Sequence, residues 1–270
     1  VLDGAPIPRR MKHRSPACGR EGVGDNRWSF PMAGESMADP SYTPQNRLLS
    51  SLTTDDLALL KPGLTRVDLP LRKQLEAPGR RINHVYFIDS GFASVVADGS
   101  ARNKIEVGMI GREGMTGLAV VLGSDHTPHE TYIQNAGEGL RIGAAKFRSA
   151  IMRSRSLHNS LLLYAHAFFV QATYTAMANG RSKLEDRLAR WLLMAHDRLD
   201  VNELKITHEF LSIMLGVRRP GVTVALNLLE RNGLIRSHRG VTTIVDRKGL
   251  RRASNGAYGV PEAEFDRLFG

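Results

Sequence analysis

Hydrophobic positions change period along the chain, and each change marks a different kind of element. From Asn46 to Leu60 the apolar face is read from Leu48, Leu49, Leu52, Leu57 and Leu60, with Thr53 and Asp56 in the T-x-x-D arrangement that caps a helix. This predicts short leading helices, ended by Pro62-Gly63. From Leu64 to Ile142 the pattern shifts to short apolar runs between turn residues. Val85-Tyr86-Phe87-Ile88 precedes Asp89-Ser90-Gly91, and Ala93-Ser94-Val95-Val96 precedes Asp98-Gly99. Ile105-Glu106-Val107, Thr131-Tyr132-Ile133-Gln134 and Leu140-Arg141-Ile142 follow. Many short strands joined by glycine-containing turns predict an antiparallel sandwich or roll.

Helical spacing returns at Ala144. A short helix is expected to Arg155, then a long one from His158 to about Met177, ended by Asn179-Gly180. In the long helix Leu161, Ala165, Phe168 and Ala172 alternate steps of four and three, the seam of a two-stranded coiled coil. Leu162, Phe169 and Ala176 form a neighbouring stripe suited to packing on the roll. Ser182 to Leu199 reads as a further amphipathic helix, with Leu184, Leu188, Trp191, Leu192 and Ala195 on one face.

The densest pattern runs from Thr207 to Val245. Thr207 is placed to cap a helix from His208 to Leu215, whose Leu211, Met214 and Leu215 share an apolar face. Gly216 breaks it. A second helix is expected from Arg219 to Arg231, with Pro220 in the first turn, where its missing N–H costs nothing, and Asn232-Gly233 as a left-handed cap. Val222, Leu226 and Leu229 face a core, while Arg219, Thr223 and Asn227 share a polar stripe. Leu234 to His238 and Val241 to Val245 then flank Arg239-Gly240 as two strands around a tight turn, a wing. Helix, turn and helix followed by a wing is the smallest common arrangement that reads duplex DNA.

Charge strengthens that reading. Glu203 to Arg252 carries ten Lys and Arg against four Asp and Glu, a large part of the chain's formal +10. A basic excess confined to one segment suits phosphate neutralisation.

The stretch from Ile206 through His208-Glu209-Phe210-Leu211 and Gly216 to Leu234 resembles the winged helix-turn-helix of the Crp–Fnr transcription regulators, the family of the cyclic AMP receptor protein. A match of layout reaches back to about Asn46. The resemblance implies an α+β protein: an N-terminal antiparallel β-roll of the cyclic-nucleotide-binding type (a double-stranded β-helix), a long dimerisation helix and a C-terminal winged helix-turn-helix. The expected divisions are a disordered extension at 1–43, the roll with flanking helices at 44–157, the dimerisation helix and hinge at 158–180, the DNA-binding domain at 181–252 and a frayed tail at 253–270. It further implies a homodimer on a pseudo-palindromic DNA site, with RNA polymerase as a partner if the protein activates. A constitutive regulator with a vestigial sensor is the alternative, and a cupin-like metal enzyme with an appended DNA-binding domain a more distant one.

Composition narrows these choices. In 270 residues Cys18 is the single cysteine, which excludes a Cys-ligated iron–sulfur cluster or zinc site within one chain. No run of eighteen apolar residues occurs and the opening lacks the apolar core of a secretory signal, so a cytoplasmic protein is expected. The Pro-, Gly- and Arg-rich opening reads as disordered. Because Val is first and Met32 and Met37 precede the first helix, a later natural start is one hypothesis; peptides from upstream of Met32 in the natural protein would reject it.

For the sites, the resemblance places Arg219 at the family's guanine-reading arginine, able to donate to O6 and N7. Arg218 would hold phosphate. The family's next glutamate is here Pro220 and its later arginine Val224, suited to a thymine methyl, so the operator does not carry over. Thr223 is expected on a base or phosphate, Asn227 on phosphate, and Arg236, His238 and Arg239 of the wing on the backbone. Gly111, Arg112, Glu113, Gly114, Met115 and Thr116 form the candidate effector pocket. The later segment Thr127-Pro128-His129-Glu130 lacks the arginine that holds a cyclic phosphate in nucleotide-binding members. Weak or absent cyclic AMP binding follows, with the effector unidentified. His126, His129 and Glu130 invite a metal reading but lack further ligands, and neither a cofactor nor a catalytic group is expected.

Overall fold

The computed structural model describes residues 36–37, 45–99, 104–199 and 201–270. The expected disorder of the opening, Cys18 and Met32 lie outside them. Asn46 starts the described chain proper. Its Oδ1 accepts from Leu49 N (3.0 Å), capping α1 (Arg47–Ser50), while its Nδ2 donates to Ile88 O and Gly114 O, both at 2.8 Å. One buried amide thus ties the leading helix to the end of a strand and to a loop of the roll. Thr53 caps α2 (Thr54–Leu60) by accepting from Asp56 N at 3.2 Å, as the T-x-x-D spacing predicts.

Two four-stranded sheets form the roll. One orders β1 (Ser36–Met37), β2 (Thr65–Leu69), β8 (Gly137–Gly143) and β4 (His84–Ile88); the other orders β3 (Gln74–Glu76), β7 (Glu130–Asn135), β5 (Phe92–Asp98) and β6 (Lys104–Ile110), with every pairing antiparallel. Each apolar run read as a strand lies in one of these. Ser36–Met37, inside the stretch expected to lack structure, instead pairs with Thr65 and Arg66. A short α3 (Leu118–Val121) interrupts the second half of the roll, and α4 (Ala144–Arg153) closes it.

The long helix, α5, spans Arg155–Arg181 and does not end at Asn179-Gly180. A single helical glycine costs only about 1 kcal/mol relative to alanine, and Asn179 Oδ1 accepts from Arg187 Nε at 3.0 Å. The break falls at Ser182-Lys183, before α6 (Leu184–Arg198). Then come β9 (Glu203–Lys205), α7 (His208–Met214), α8 (Arg219–Arg231), β10 (Ile235–His238), β11 (Val241–Ile244) and α9 (Arg247–Ala253), with sheet order β10-β11-β9.

The C-terminal residues are not frayed. Val260–Phe269 form α10, whose Glu262 carboxylate accepts from Gly259 N at 2.8 Å and whose Phe265 enters the roll-side core. Phe265, Leu268 and Phe269 are too few apolar positions to announce a helix in sequence; burial against α5 supplies what periodicity does not.

Candidate nucleic-acid interface

The DNA-facing geometry follows from local residue chemistry. Thr207 Oγ1 accepts from Phe210 N at 3.2 Å and starts α7, and Pro220 lies in the first turn of α8. Leu211, Met214, Val222, Leu226 and Leu229 are buried together against α6. That burial fixes the opposite face of α8. Arg218, Arg219, Val224 and Asn227 are exposed on it, and Arg231, one turn beyond Asn227, extends the row. Thr223 is half-buried and already engaged, 3.0 Å from His208 Nδ1 and donating to Arg219 O at 3.3 Å.

The wing turns where Arg239 and Gly240 both take positive φ, 46° and 79°. That is the conformation a two-residue hairpin needs. Arg236, His238 and Arg239 are exposed, and Ser237 N donates to Glu230 Oε1 at 2.9 Å, setting the hairpin against the end of α8. Eight predicted positions therefore lie on two adjoining elements, seven of them in solvent.

The candidate effector segment is placed differently. Gly111 to Thr116 is a seat for two helices rather than an open cradle. A Cβ on Gly114 would lie 2.1 Å from the Tyr164 hydroxyl, and one on Gly111 would lie 2.5 Å from Arg198 Cγ. Tyr164 donates to Met115 O at 3.1 Å, while Glu113 pairs with Arg198 at 2.5 Å. Met115 and Thr116 are buried, and Arg112 is half-buried. Sequence reading missed Tyr164 and Arg198. The available signal was Arg198 falling three residues after Ala195, on the apolar face of α6.

An open space does exist nearby. A cavity of about 280 Å³ lies between the roll and α5, with Val95, Ile110, Leu118, Leu122 and Phe168 on its walls. Glu76 also lines it, and its carboxylate accepts from Gly117 N at 2.7 Å and Thr131 Oγ1 at 2.5 Å. Burial raises this carboxyl above its usual range, opposed by those two hydrogen bonds. His126 and His129 border the same cavity but are engaged separately, with Asp125 at 2.6 Å and Thr127 at 3.2 Å. Glu130 bonds Gln74 and Lys104. No group of three His, Cys, Asp or Glu converges among the described residues.

The two stripes of α5 exchange their expected places. Leu161 is buried in the chain's own core, and Phe168 lies on the roll, where a Cβ on Gly108 would meet its ring at 2.6 Å. Ala165 and Ala172 are half-buried. Leu162, Phe169 and Ala176 instead face solvent, with Phe169 64% exposed. Which of two adjacent stripes meets the roll depends on the angle at which α5 leaves α4, and periodicity carries no such angle.

The DNA-reading half is docked on the roll. Phe92, Val96 and Met109 of the roll share one buried cluster with α6, α7 and α8. Trp191 Nε1 donates to Glu106 Oε1 at 2.8 Å, and Ser94 donates to the other oxygen. Burial pushes the Glu106 carboxyl up to about 7, with Arg198 and Arg190 pulling the other way. Among the described residues no helix is long and apolar enough to cross a membrane.

Residues 186–253 match the Crp-like helix-turn-helix domain family. No curated protein matches the chain. Among solved structures, a putative Crp/Fnr-family transcriptional regulator from Eubacterium rectale matches with a TM-score of 0.63 and 20% identity, covering 77% of this chain and 98% of that one. FixK2 from Bradyrhizobium japonicum matches at 0.61 and 16%, covering 70% and 96%. The c-di-GMP-responsive global regulator CLP from Xanthomonas campestris matches at 0.59 and 16%, covering 71% and 99%.

Proposed function

Residues 186–253 are a Crp-like helix-turn-helix domain on a chain with the fold of the Crp/Fnr transcription regulators, and from that premise we propose a homodimeric, sequence-specific DNA-binding regulator. The observation that carries the proposal is the exposed face of α8, with Arg218, Arg219, Val224 and Asn227 beside the wing arginines. Arg219 reads a guanine, Val224 meets an apolar base edge, and Arg218, Asn227, Arg236, His238 and Arg239 hold the backbone. Thr223, tied to His208, orients the helix and contributes less to base reading than its place in the stripe suggests.

Two copies associate through Leu162, Phe169 and Ala176 and set their α8 helices in successive major grooves, about 34 Å apart on a pseudo-palindromic site. In an activator, RNA polymerase is the further partner. An effector in the 280 Å³ cavity biases the docking of α6 and α7 on the roll. Glu76 already takes the Gly117 amide there, and no arginine faces it from Thr127 to Glu130, so cyclic AMP is a poor candidate. The exposed α8 face also favours a second reading, in which the protein binds DNA without any effector.

Selection of bound duplexes from a random pool by the ligand-free protein, at near-physiological salt, tests both readings. Enrichment of a two-fold-symmetric site establishes specific binding and favours the constitutive form. Retention of DNA with no enriched sequence points to a required effector. Failure to retain any DNA overturns the proposal.

A further inference from the structure

One acid gives the cavity between the roll and α5 a charge preference that its apolar walls lack. Glu76, at the end of β3, is half-buried on the lining, and its two oxygens accept from Gly117 N and Thr131 Oγ1, both neutral donors. Among the described residues it makes no ion pair. Comparable half-buried acids of the roll do: Glu113 pairs with Arg198, and Glu130 with Lys104. No Lys or Arg among the described residues lines the cavity. Its two histidines are engaged elsewhere, His126 by the Asp125 carboxylate and His129 by the Thr127 hydroxyl.

A carboxylate has room for roughly four hydrogen bonds, and Glu76 receives two. The wall therefore offers acceptors and an unmatched negative charge. A charge held away from water without a partner is costly, which is also why burial raises this carboxyl above its usual range. The remainder of the lining is apolar, with Val95 and Ile110 of the roll, Leu118 and Leu122 around α3, and Phe168 of α5.

We propose that the effector of this cavity is a small organic amine, its ammonium group donating to Glu76 and its apolar body lying against Ile110, Leu118 and Phe168; this rests on the reading of the cavity as an effector site. A cavity of roughly 150 Å³ already holds a benzene ring, so the 280 Å³ here suits a body of one or two rings or an alkyl chain of similar bulk. The carboxylate that holds the amine repels anions. Phe168 carries the consequence toward the DNA-binding domain. It packs on Gly108 of β6, and one turn on, Gln171 accepts from Met109 N at 2.6 Å and donates to Met109 O at 3.2 Å. Arg198 of α6 donates to the same Met109 O at 3.3 Å. An amine filling the space against Phe168 braces this strand, and with it the docking of α6 on the roll.

The test uses the full chain without DNA, so that its outcome is separate from that of the DNA-binding reading. Phenethylamine, tryptamine and hexylamine are titrated by calorimetry at near-neutral pH, each beside the neutral alcohol of the same body. At least one amine is expected to bind one site per chain and raise the melting temperature, with its alcohol bound at least about tenfold more weakly. Glu76→Gln keeps an acceptor for Gly117 N and a donor for Thr131 Oγ1 but loses the charge, and should remove nearly all of that preference. Leu122→Lys, at a position 65% exposed on the rim, sets a competing ammonium beside the cavity without disturbing the core. It should weaken the amine about tenfold, and it decides the matter if Glu76→Gln does not fold. An alcohol bound as tightly as its amine, or a preference that survives Glu76→Gln, overturns the amine while leaving the cavity an effector site. Absence of saturable binding by all three amines also overturns it, and the random-pool selection without ligand then judges the effector reading by itself.

Discussion

A few single residues decide what the DNA-reading surface does. Arg219 is exposed at the start of α8, and the guanine contact proposed for it uses two guanidinium donors. Arg219→Ala should cost about 1–3 kcal/mol of discrimination at one position of each half-site. Competition binding against a site changed at that position measures it. Arg239, on the wing turn, should instead weaken all sequences alike when replaced by Ala and lower the salt slope by about one. Gly114 carries a different kind of constraint. The Tyr164 hydroxyl occupies the place of any Cβ there, so Gly114→Ala should destabilise the fold by about 1–3 kcal/mol. Thermal unfolding reads that cost, and Tyr164→Phe in the same background should recover part of it.

Elements carry the assembly and the docking. On α5 the open stripe of Leu162, Phe169 and Ala176 is the surface proposed for a second copy, and Phe169→Glu should shift sedimentation toward the monomer while leaving the melting of the isolated chain nearly unchanged. Between β6 and α6, Glu106 links docking to pH. Its carboxyl titrates near 4.5 when unfolded and at about 7 when buried. The folded state therefore holds more protons between those values, and stability falls as pH rises through that window. Below it the contribution is fully present; above it the loss is complete. Glu106→Gln stays neutral and still accepts from Trp191. Its advantage over the wild type should grow from nothing near pH 4.5 to on the order of 1–3 kcal/mol above pH 7. Denaturant unfolding across pH checks this; equal slopes for both proteins would contradict it.

At the scale of the molecule, α10 makes the DNA-binding domain and the roll one packed body. Phe265 is 7% exposed, has the Arg47 guanidinium 4.8 Å from its ring centre, and sits in the cluster that includes Leu48, Phe147 and Leu161. Phe265→Ala should cost about 3 kcal/mol or more. Hydrogen exchange should then show α10 opening before the strands of the roll. The segment leading into α10 holds α6 through Tyr258 on Asp197 and Ala257 O on Arg190, so α6 amides should also exchange faster in the same variant.

Much of this was legible in the sequence because it depends on local chemistry. Thr207, Pro220 and Gly233 set the ends of α7 and α8, Arg239-Gly240 sets the wing turn, and the apolar positions of both helices choose their buried face; none of these needs a distant partner. The strands of the roll were legible for the same reason. Three features were decided only by tertiary structure. Leu161 rather than Phe169 is buried because the roll approaches α5 from that side, and Gly111 to Thr116 is filled because Tyr164 and Arg198 arrive from helices about fifty and eighty residues away. Glu76 and Gly117, 41 positions apart, meet only when β3 lies beside the end of the roll. Sequence periodicity fixes which face of an element is apolar; it does not say which neighbour that face will meet, because that depends on angles and closures set by the whole packed chain.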